Sequence, residues 1–436
     1  MSTSSSPLFE AYQLSLPKPL HTPSPQISSF LYDPFSATLA LRHTDSSFSL
    51  YPSFSPLSLS SLPSPKSLVP SPTSSAAFLH LRTTSNSSAA TTTLFLTSSP
   101  LLRPTSSTLI RFYILRDGRF GRIGVVSNHR DLEFDRSKCG VVFKVNHGVS
   151  MALSGGINVF TLYSVSSSKI WLFAARLIAD DEGGGGEALK LMKCAVIDCC
   201  SPVFTIRVMF RVLILGEENG VRIFPLQPLV RGIHRKEKKN NGKRYNSKNV
   251  LPKGEKTEKH SDSEKLRSVK LRQDSRDVGA FYVPFEDNKD EERVGRSVKA
   301  ISIEALSSNC FVVLDNVGDV HLLSLSYSVQ GLNNRCLMKR STQTMKVVKL
   351  SVFHDASTVT RTIWMSDGCH SVHLMMVSDM DTSPDKTEKK DTTEKLIQTS
   401  VTQAIFASEK IQDIVPLAAN AVLILGQGSM FAYTIS

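Results

Sequence analysis

One phrase recurs down the second half of the chain and constrains its fold more than any other feature: an apolar strand, a glycine-containing turn, and a second apolar strand. It reads Val212-Leu213-Ile214-Leu215-Gly216, then Gly220-Val221-Arg222-Ile223-Phe224. It returns as Phe311 to Leu314 with Val320 to Leu323, as Thr362 to Met365 with Ser371 to Met375, and as Val422 to Leu425 with Met430 to Tyr433. Repetition of one small unit at a steady period marks a repeat architecture, because a single hairpin cannot cover both of its faces. The pattern predicts an all-β molecule assembled from stacked copies of that unit.

Further strands flank each hairpin. Val298 to Ile303, Val347 to Val352 and Ile411 to Leu417 precede them and alternate apolar with polar, as a half-buried strand does. Arg335 to Met338 and Leu396 to Val401 follow. The unit is therefore a four-stranded antiparallel meander with a period of about 50 residues, which matches a propeller blade. Weaker copies occupy the first half. Thr38 to Arg42 pairs with Phe48 to Tyr51, and Thr92 to Leu96 with Thr108 to Leu115. Val149 to Leu153, Val159 to Tyr163 and Lys169 to Phe173 form a third. About seven units result, and residues 1–436 are expected to form one β-propeller. The last unit ends one strand short, while Phe9 to Leu16 alternates ahead of the first. We expect that N-terminal strand to complete the last blade and close the ring, which removes an exposed sheet edge.

Four stretches carry too little apolar surface to offset the entropy of ordering them and are expected as disordered insertions: 55–75, 180–187, 231–295 and 379–395. The third contains the densest basic run. Between Arg231 and Asp277 stand sixteen basic against seven acidic side chains, nine of the formal charge of +12. Arg235, Lys236, Lys238, Lys239, Lys243 and Arg244 form two basic clusters with a short polar gap, the pattern of a nuclear import signal. The same residues, continued by Lys265, Arg267, Lys270 and Arg272, also suit contact with phosphate backbones. Tyr245 is the lone aromatic among them, too few for stacking on single strands. A solvated loop without a specific role is the third reading.

Motifs for catalysis are missing. The sequence has no Gly-x-x-x-x-Gly-Lys, no Gly-x-Ser-x-Gly and no His-Glu-x-x-His. Asp180-Asp181, Glu217-Glu218 and Glu291-Glu292 fall mainly in loops, where carboxylates are normally solvated. His370 and His373 are three apart, which puts them on opposite faces of a strand and argues against shared metal ligation. Trp171 and Trp364 lie in apolar strands and are expected to pack between blades. Seven scattered cysteines without zinc or redox spacing read as free thiols of a reducing compartment. No cofactor or metal is expected. No stretch reaches the length of an apolar membrane span. The Ser-rich, acid-poor start also fits an organellar transit peptide, but its lack of arginine, Glu10 and several prolines weigh against one.

The repeated hairpins resemble those of the WD40-like β-propeller superfamily in a divergent form. No Trp-Asp dipeptide closes a unit and no Gly-His pair opens one; Lys169-Ile170-Trp171 is a faint echo of the usual strand ending. The resemblance implies a rigid, non-enzymatic scaffold that mediates protein–protein interactions across its faces, here in a larger, nuclear or nucleocytoplasmic assembly. The alternative is a nucleic-acid-associated factor gripping phosphate through the basic insertion. A third reading, an enzyme with its site in the central channel, calls for inward-facing carboxylates or histidines around the axis.

Overall fold

The computed structural model describes residues 9–14, 26–55, 61–82, 91–101, 107–127, 129–148, 150–180, 186–231, 268–286, 297–328, 331–341, 345–353, 360–379 and 397–435. Seven separate sheets account for every strand among them. Blade 1 is Ile27–Asp33, Thr38–His43, Phe48–Tyr51 and Ser67–Val69, in that order from the axis outward. Blade 4 (Thr205–Met209, Val212–Glu217, Gly220–Pro225, Phe281–Pro284), blade 5 (Ala300–Ala305, Cys310–Asp315, Val320–Ser328, Gly331–Arg340) and blade 6 (Lys349–Phe353, Thr360–Ser366, Ser371–Asp379, Ile397–Phe406) repeat the plan. Blade 7 has Asp413–Ala418, Ala421–Leu425 and Met430–Ile435 from the end of the chain. Its fourth strand is the N-terminal Phe9–Leu14, antiparallel in register from Phe9↔Ile435 to Leu14↔Met430. The expected closure is the observed one.

Second and third strands are buried almost throughout, on both faces, because each blade is sandwiched between two others. Their runs of Val, Ile, Leu and Phe suit that environment. The apolar interior divides into seven clusters, one at each junction of neighbouring blades. One of them joins blade 7 to blade 1 through Leu14, Leu39, Leu41, Leu423 and Met430, which shows that the ring is complete. Trp171 meets Phe143 of blade 2 edge-on at 5.1 Å, and Trp364 is fully buried between blades 6 and 7. Both tryptophans pack the core, as expected.

Polar clasps sit beside these clusters near the axis. The Leu153 amide donates to Ser75 Oγ, and the Val208 amide to Ser154 Oγ, both at 2.9 Å. Arg207 Nε donates to the Ile303 carbonyl at 3.0 Å, and the guanidinium pairs with Glu304. Asp413 of blade 7 accepts the Phe30 amide of blade 1 at 2.8 Å and lies 3.7 Å from Lys349 Nζ of blade 6. Asp33 pairs with His80 across the blade 1–2 junction at 2.8 Å. Lys346, on the way into blade 6, holds Asp319 of blade 5 at 2.7 Å.

Blades 2 and 3 depart from the four-stranded plan. Blade 2 is Ser75–Arg82, Thr91–Leu101 and Ser107–Arg116, followed outward by Gly140–Phe143 and Leu132–Asp135, and Arg119–Arg122 also pairs with the third strand. Blade 3 is Met151–Gly155, Val159–Ser164, Lys169–Asp180 and Gly186–Asp198, and its outer edge is covered by two parallel strands. Gly124–Ser127 arrives from blade 2, and Val269–Arg272 from the connection inside blade 4.

The insertions are narrower than their sequence suggests: Asp180, Gly186, Glu187 and Asp379 are strand residues, while 181–185 and 380–395 lie outside the described residues. Within 55–75, Ser67–Val69 is the outer strand of blade 1. Within 231–295, Val269–Arg272 and Phe281–Pro284 are strands that cover blade 3 and complete blade 4. High charge masked them: a strand of four residues held at a sheet edge needs only one or two apolar side chains turned inward. A six-residue helix, Leu226–Arg231, precedes that connection and buries Leu226 and Leu229. Val203 to Leu215, which alternates like one strand, is two strands turning at Phe210, where φ is +49°. No helix among the described residues is long and apolar enough to cross a membrane.

Candidate functional site

Inner strands all start on one face of the ring, here termed upper, and the turns joining second to third strands open there too. Phe204 leads into blade 4, and Lys299 Nζ lies 5.1 Å from the centre of its ring. Lys299 is fixed to the blade 5 turn: its amide donates to Asn316 Oδ1 at 2.7 Å, and the Asn316 amide returns a bond to its carbonyl at 2.9 Å. Val317 projects from that turn. The next residue, Gly318, has φ +92° and packs on the Val347 backbone, an approach that a side chain would obstruct. Val348 then stands out, 54% exposed, over Gly368 of blade 6.

Beside Val348 a recess of about 540 Å³ opens where blades 6, 7 and 1 meet. Gly368 and Lys349 line it from blade 6, Lys410, Ile411 and Gln427 from blade 7, and Gln26 and Thr44 from blade 1. The acids around it are occupied. Asp367 accepts the Cys369 and Ser371 amides, and Glu409 accepts those of Gly428 and Ser429. Those amide bonds hold the Glu409 carboxyl below its usual range. Asp319 is also held low: burial works the other way, but Lys346 and Arg340 outweigh it. Asp413 differs, since burial raises its pKa more than Lys349 and the Phe30 amide lower it. Along blades 4, 5 and 6 the exposed apolar side chains Phe204, Val317 and Val348 thus alternate with the exposed polar turn residues Glu218, Asn219, Asn316 and His370.

Ionisable groups on the inner strands are paired from one blade to the next as Arg207–Glu304, Lys349–Asp413 and Asp33–His80. They hold blades together. Among the described residues no three His, Cys, Asp or Glu side chains are grouped to hold a metal ion. His370 and His373 have separate partners, the Ala407 carbonyl and Ser371 Oγ. Every described cysteine is a free thiol.

The basic clusters at Arg235, Lys236, Lys238, Lys239, Lys243 and Arg244 lie outside the described residues. Their point of departure is defined. The third strand of blade 4 runs from the upper face to the lower, so Arg231 ends the short helix on the lower side, near the rim of blades 3 and 4. Two residues read with the run belong to the fold instead. Lys270 and Arg272 are on the strand covering blade 3, and Arg272 is paired with Asp274 through two bonds of 3.1 and 3.2 Å. Sequence reasoning also missed Gln273, which is fully buried. Its amide donates to Glu217 at 2.7 Å, and its oxygen accepts the Cys200 and Ser201 amides. The alternation Val269-Lys270-Leu271-Arg272 was the available signal.

No protein-family model matches the chain, and no curated protein matches it. Several solved structures are similar over nearly its whole length. The crystal structure of RRP9 WD40 repeats is 7% identical, over 98% of this chain and 97% of that one, with a TM-score of 0.44. The Cps50 (Swd1) β-propeller domain of Myceliophteria thermophila is 7% identical, over 95% and 98%, with a TM-score of 0.46. Streptogramin B lyase is 8% identical, over 98% of both chains, with a TM-score of 0.40. Strand order and the closing strand decide the architecture. The fold is a β-propeller of seven blades.

Proposed function

We propose that the protein is a non-enzymatic scaffold that docks partner proteins of a larger nuclear assembly on its upper face. The observation that carries this reading is the row Phe204, Val317 and Val348. These are large apolar side chains, 37%, 38% and 54% exposed, on the same face of consecutive blades beside a ready recess. Apolar groups gathered on a rigid rim favour a protein surface as their cover. The basic insertion leaves from the opposite side, so an import receptor could hold it without obstructing that face. A second reading keeps the insertion as a phosphate-binding tether, favoured by the excess of nine positive charges between Arg231 and Asp277.

Replacing Val317 and Val348 with Asp should weaken capture of co-purifying proteins at least tenfold, on the order of the loss of one interface hot spot, with Tm unchanged. Deleting 232–267 should abolish nuclear import while leaving that capture intact. Unaltered capture by the double variant sinks the upper-face reading. If the deletion instead removes a steep salt dependence of nucleic-acid binding, the second reading stands.

A further inference from the structure

Blade 2 carries a second cluster, far from the upper-face row. Its outer rank is broken: Arg119–Arg122 pairs with the lower part of the third strand, and Gly140–Phe143 with the upper part. The side chains at the break face blade 1. Tyr113 is directly opposite Arg122, and Arg111 is two residues along on the same face. Arg111 crosses above Gly140, where a Cβ would come within 3.0 Å of its Cγ, and its Nε donates to the Lys138 carbonyl at 3.2 Å. Opposite Arg111 on the second strand stands Thr97.

Two basic side chains share this face, and among the described residues neither guanidinium has a carboxylate within ion-pair distance. The nearest acid along the chain, Asp117, stands exposed in the hairpin turn between Arg116 and Arg119, and Asp135 is committed to Lys138 and Ser137. Beneath the pair, the Tyr113 hydroxyl and Thr97 Oγ1 are buried without a hydrogen-bond partner, in side chains 4% and 0% exposed. Such groups destabilise a fold when left unbonded. Burial raises the Tyr113 pKa, and the charges of Arg111 and Arg122, with a hydrogen-bonding contribution from Arg122, oppose it. Blade 1 faces the break with an outer strand of only three residues, Ser67–Val69, whose Ser67 Oγ accepts the Phe120 amide and donates to its carbonyl.

We propose that Arg111, Arg122 and Tyr113 form a binding site for a phosphate-type dianion. A carboxylate offers one charge and two acceptor oxygens, whereas this site presents two guanidiniums with their donors and a hydroxyl. A phosphate or phosphomonoester balances both charges and has an oxygen for each group.

The test uses the full chain in phosphate-free buffer at constant ionic strength, titrated with inorganic phosphate, O-phosphoserine and acetate. Calorimetry should show the two phosphates binding at least tenfold more tightly than acetate. Arg122→Gln and Arg111→Gln should each weaken phosphate about tenfold, the worth of one charge-assisted bond, and Tyr113→Phe should weaken it less. Arg122 is exposed, so its replacement should leave Tm in phosphate-free buffer unchanged or higher, through relief of repulsion. Tighter binding of phosphoserine than of inorganic phosphate assigns the anion to a phosphorylated side chain, and the reverse assigns it to free phosphate. Acetate equal to phosphate, or full phosphate binding by Arg122→Gln, overturns the site.

Discussion

Gln273 shows how much one side chain can decide in a blade junction. It satisfies a buried carboxylate, Glu217, which is itself held by Arg222 through bonds of 2.7 and 3.1 Å, and it caps two amides at the entry to blade 4. Gln273→Ala would leave one buried carboxylate oxygen short of a donor and the part-buried Cys200 and Ser201 amides without this acceptor. We expect a loss of about 2–4 kcal/mol, read as a lower urea midpoint, whereas Lys270→Ala on the exposed side of the same strand should cost under about 0.5 kcal/mol. Asp33 predicts a pH effect. Burial alone would raise its pKa, but the bond and charge of His80 with the bonds from Ser36 bring it below the ordinary value. A folded-state pKa below the unfolded one means that the stabilisation is present above the unfolded value, about 3.9, and fades as pH falls through the folded value. The stability gap between the wild type and Asp33→Asn should therefore be constant above about pH 5 and close on further acidification, which thermal melts across pH 2–7 would follow.

At the scale of elements, the closing strand is the exposed weakness of any propeller, and here it depends on six residues. Leu14 is fully buried in the cluster that joins blades 7 and 1. Leu14→Ala should cost about 2–5 kcal/mol by cavity formation, and deleting residues 1–14 should expose the edge Met430–Ile435 and promote aggregation at the resulting lower Tm. Sequence periodicity disclosed this strand because Phe9-Glu10-Ala11-Tyr12-Gln13-Leu14 alternates, and alternation is what a strand with one buried face requires. Second and third strands were legible for a different reason: burial on both sides selects unbroken apolar runs. Strands at the periphery follow neither rule. Val269–Arg272 and Gly124–Ser127 owe their structure to a neighbouring blade's edge, a long-range partner that composition does not report. The candidate surfaces were legible only in outline. Phe204, Val317 and Val348 are ordinary apolar residues until the ring sets them on one face, and Arg111 meets Arg122 only through the register of a hairpin.

For the whole molecule, the long insertion is stitched back into the ring on both sides of its own junction. Residues before it build blades 1 to 3 and three strands of blade 4; residues after it supply the fourth strand of blade 4, a covering strand on blade 3, and blades 5 to 7. Blade 7 in turn takes its last strand from the N terminus. A cut within 232–267 thus divides the chain into two parts that interlock at three places: Phe281–Pro284 in blade 4, Val269–Arg272 on blade 3, and Phe9–Leu14 in blade 7. The charged, Lys- and Arg-rich composition of that stretch makes it the preferred target of trypsin. We expect brief trypsin treatment to give fragments of roughly 1–240 and 260–436 that co-elute in gel filtration at the volume of the intact chain and separate only in denaturant. The ring closes only with both sets of strands, so the nicked protein should unfold in one transition, at a midpoint no higher than that of the intact chain. Fragments that part in native buffer would mean that the blades do not share one closed interior.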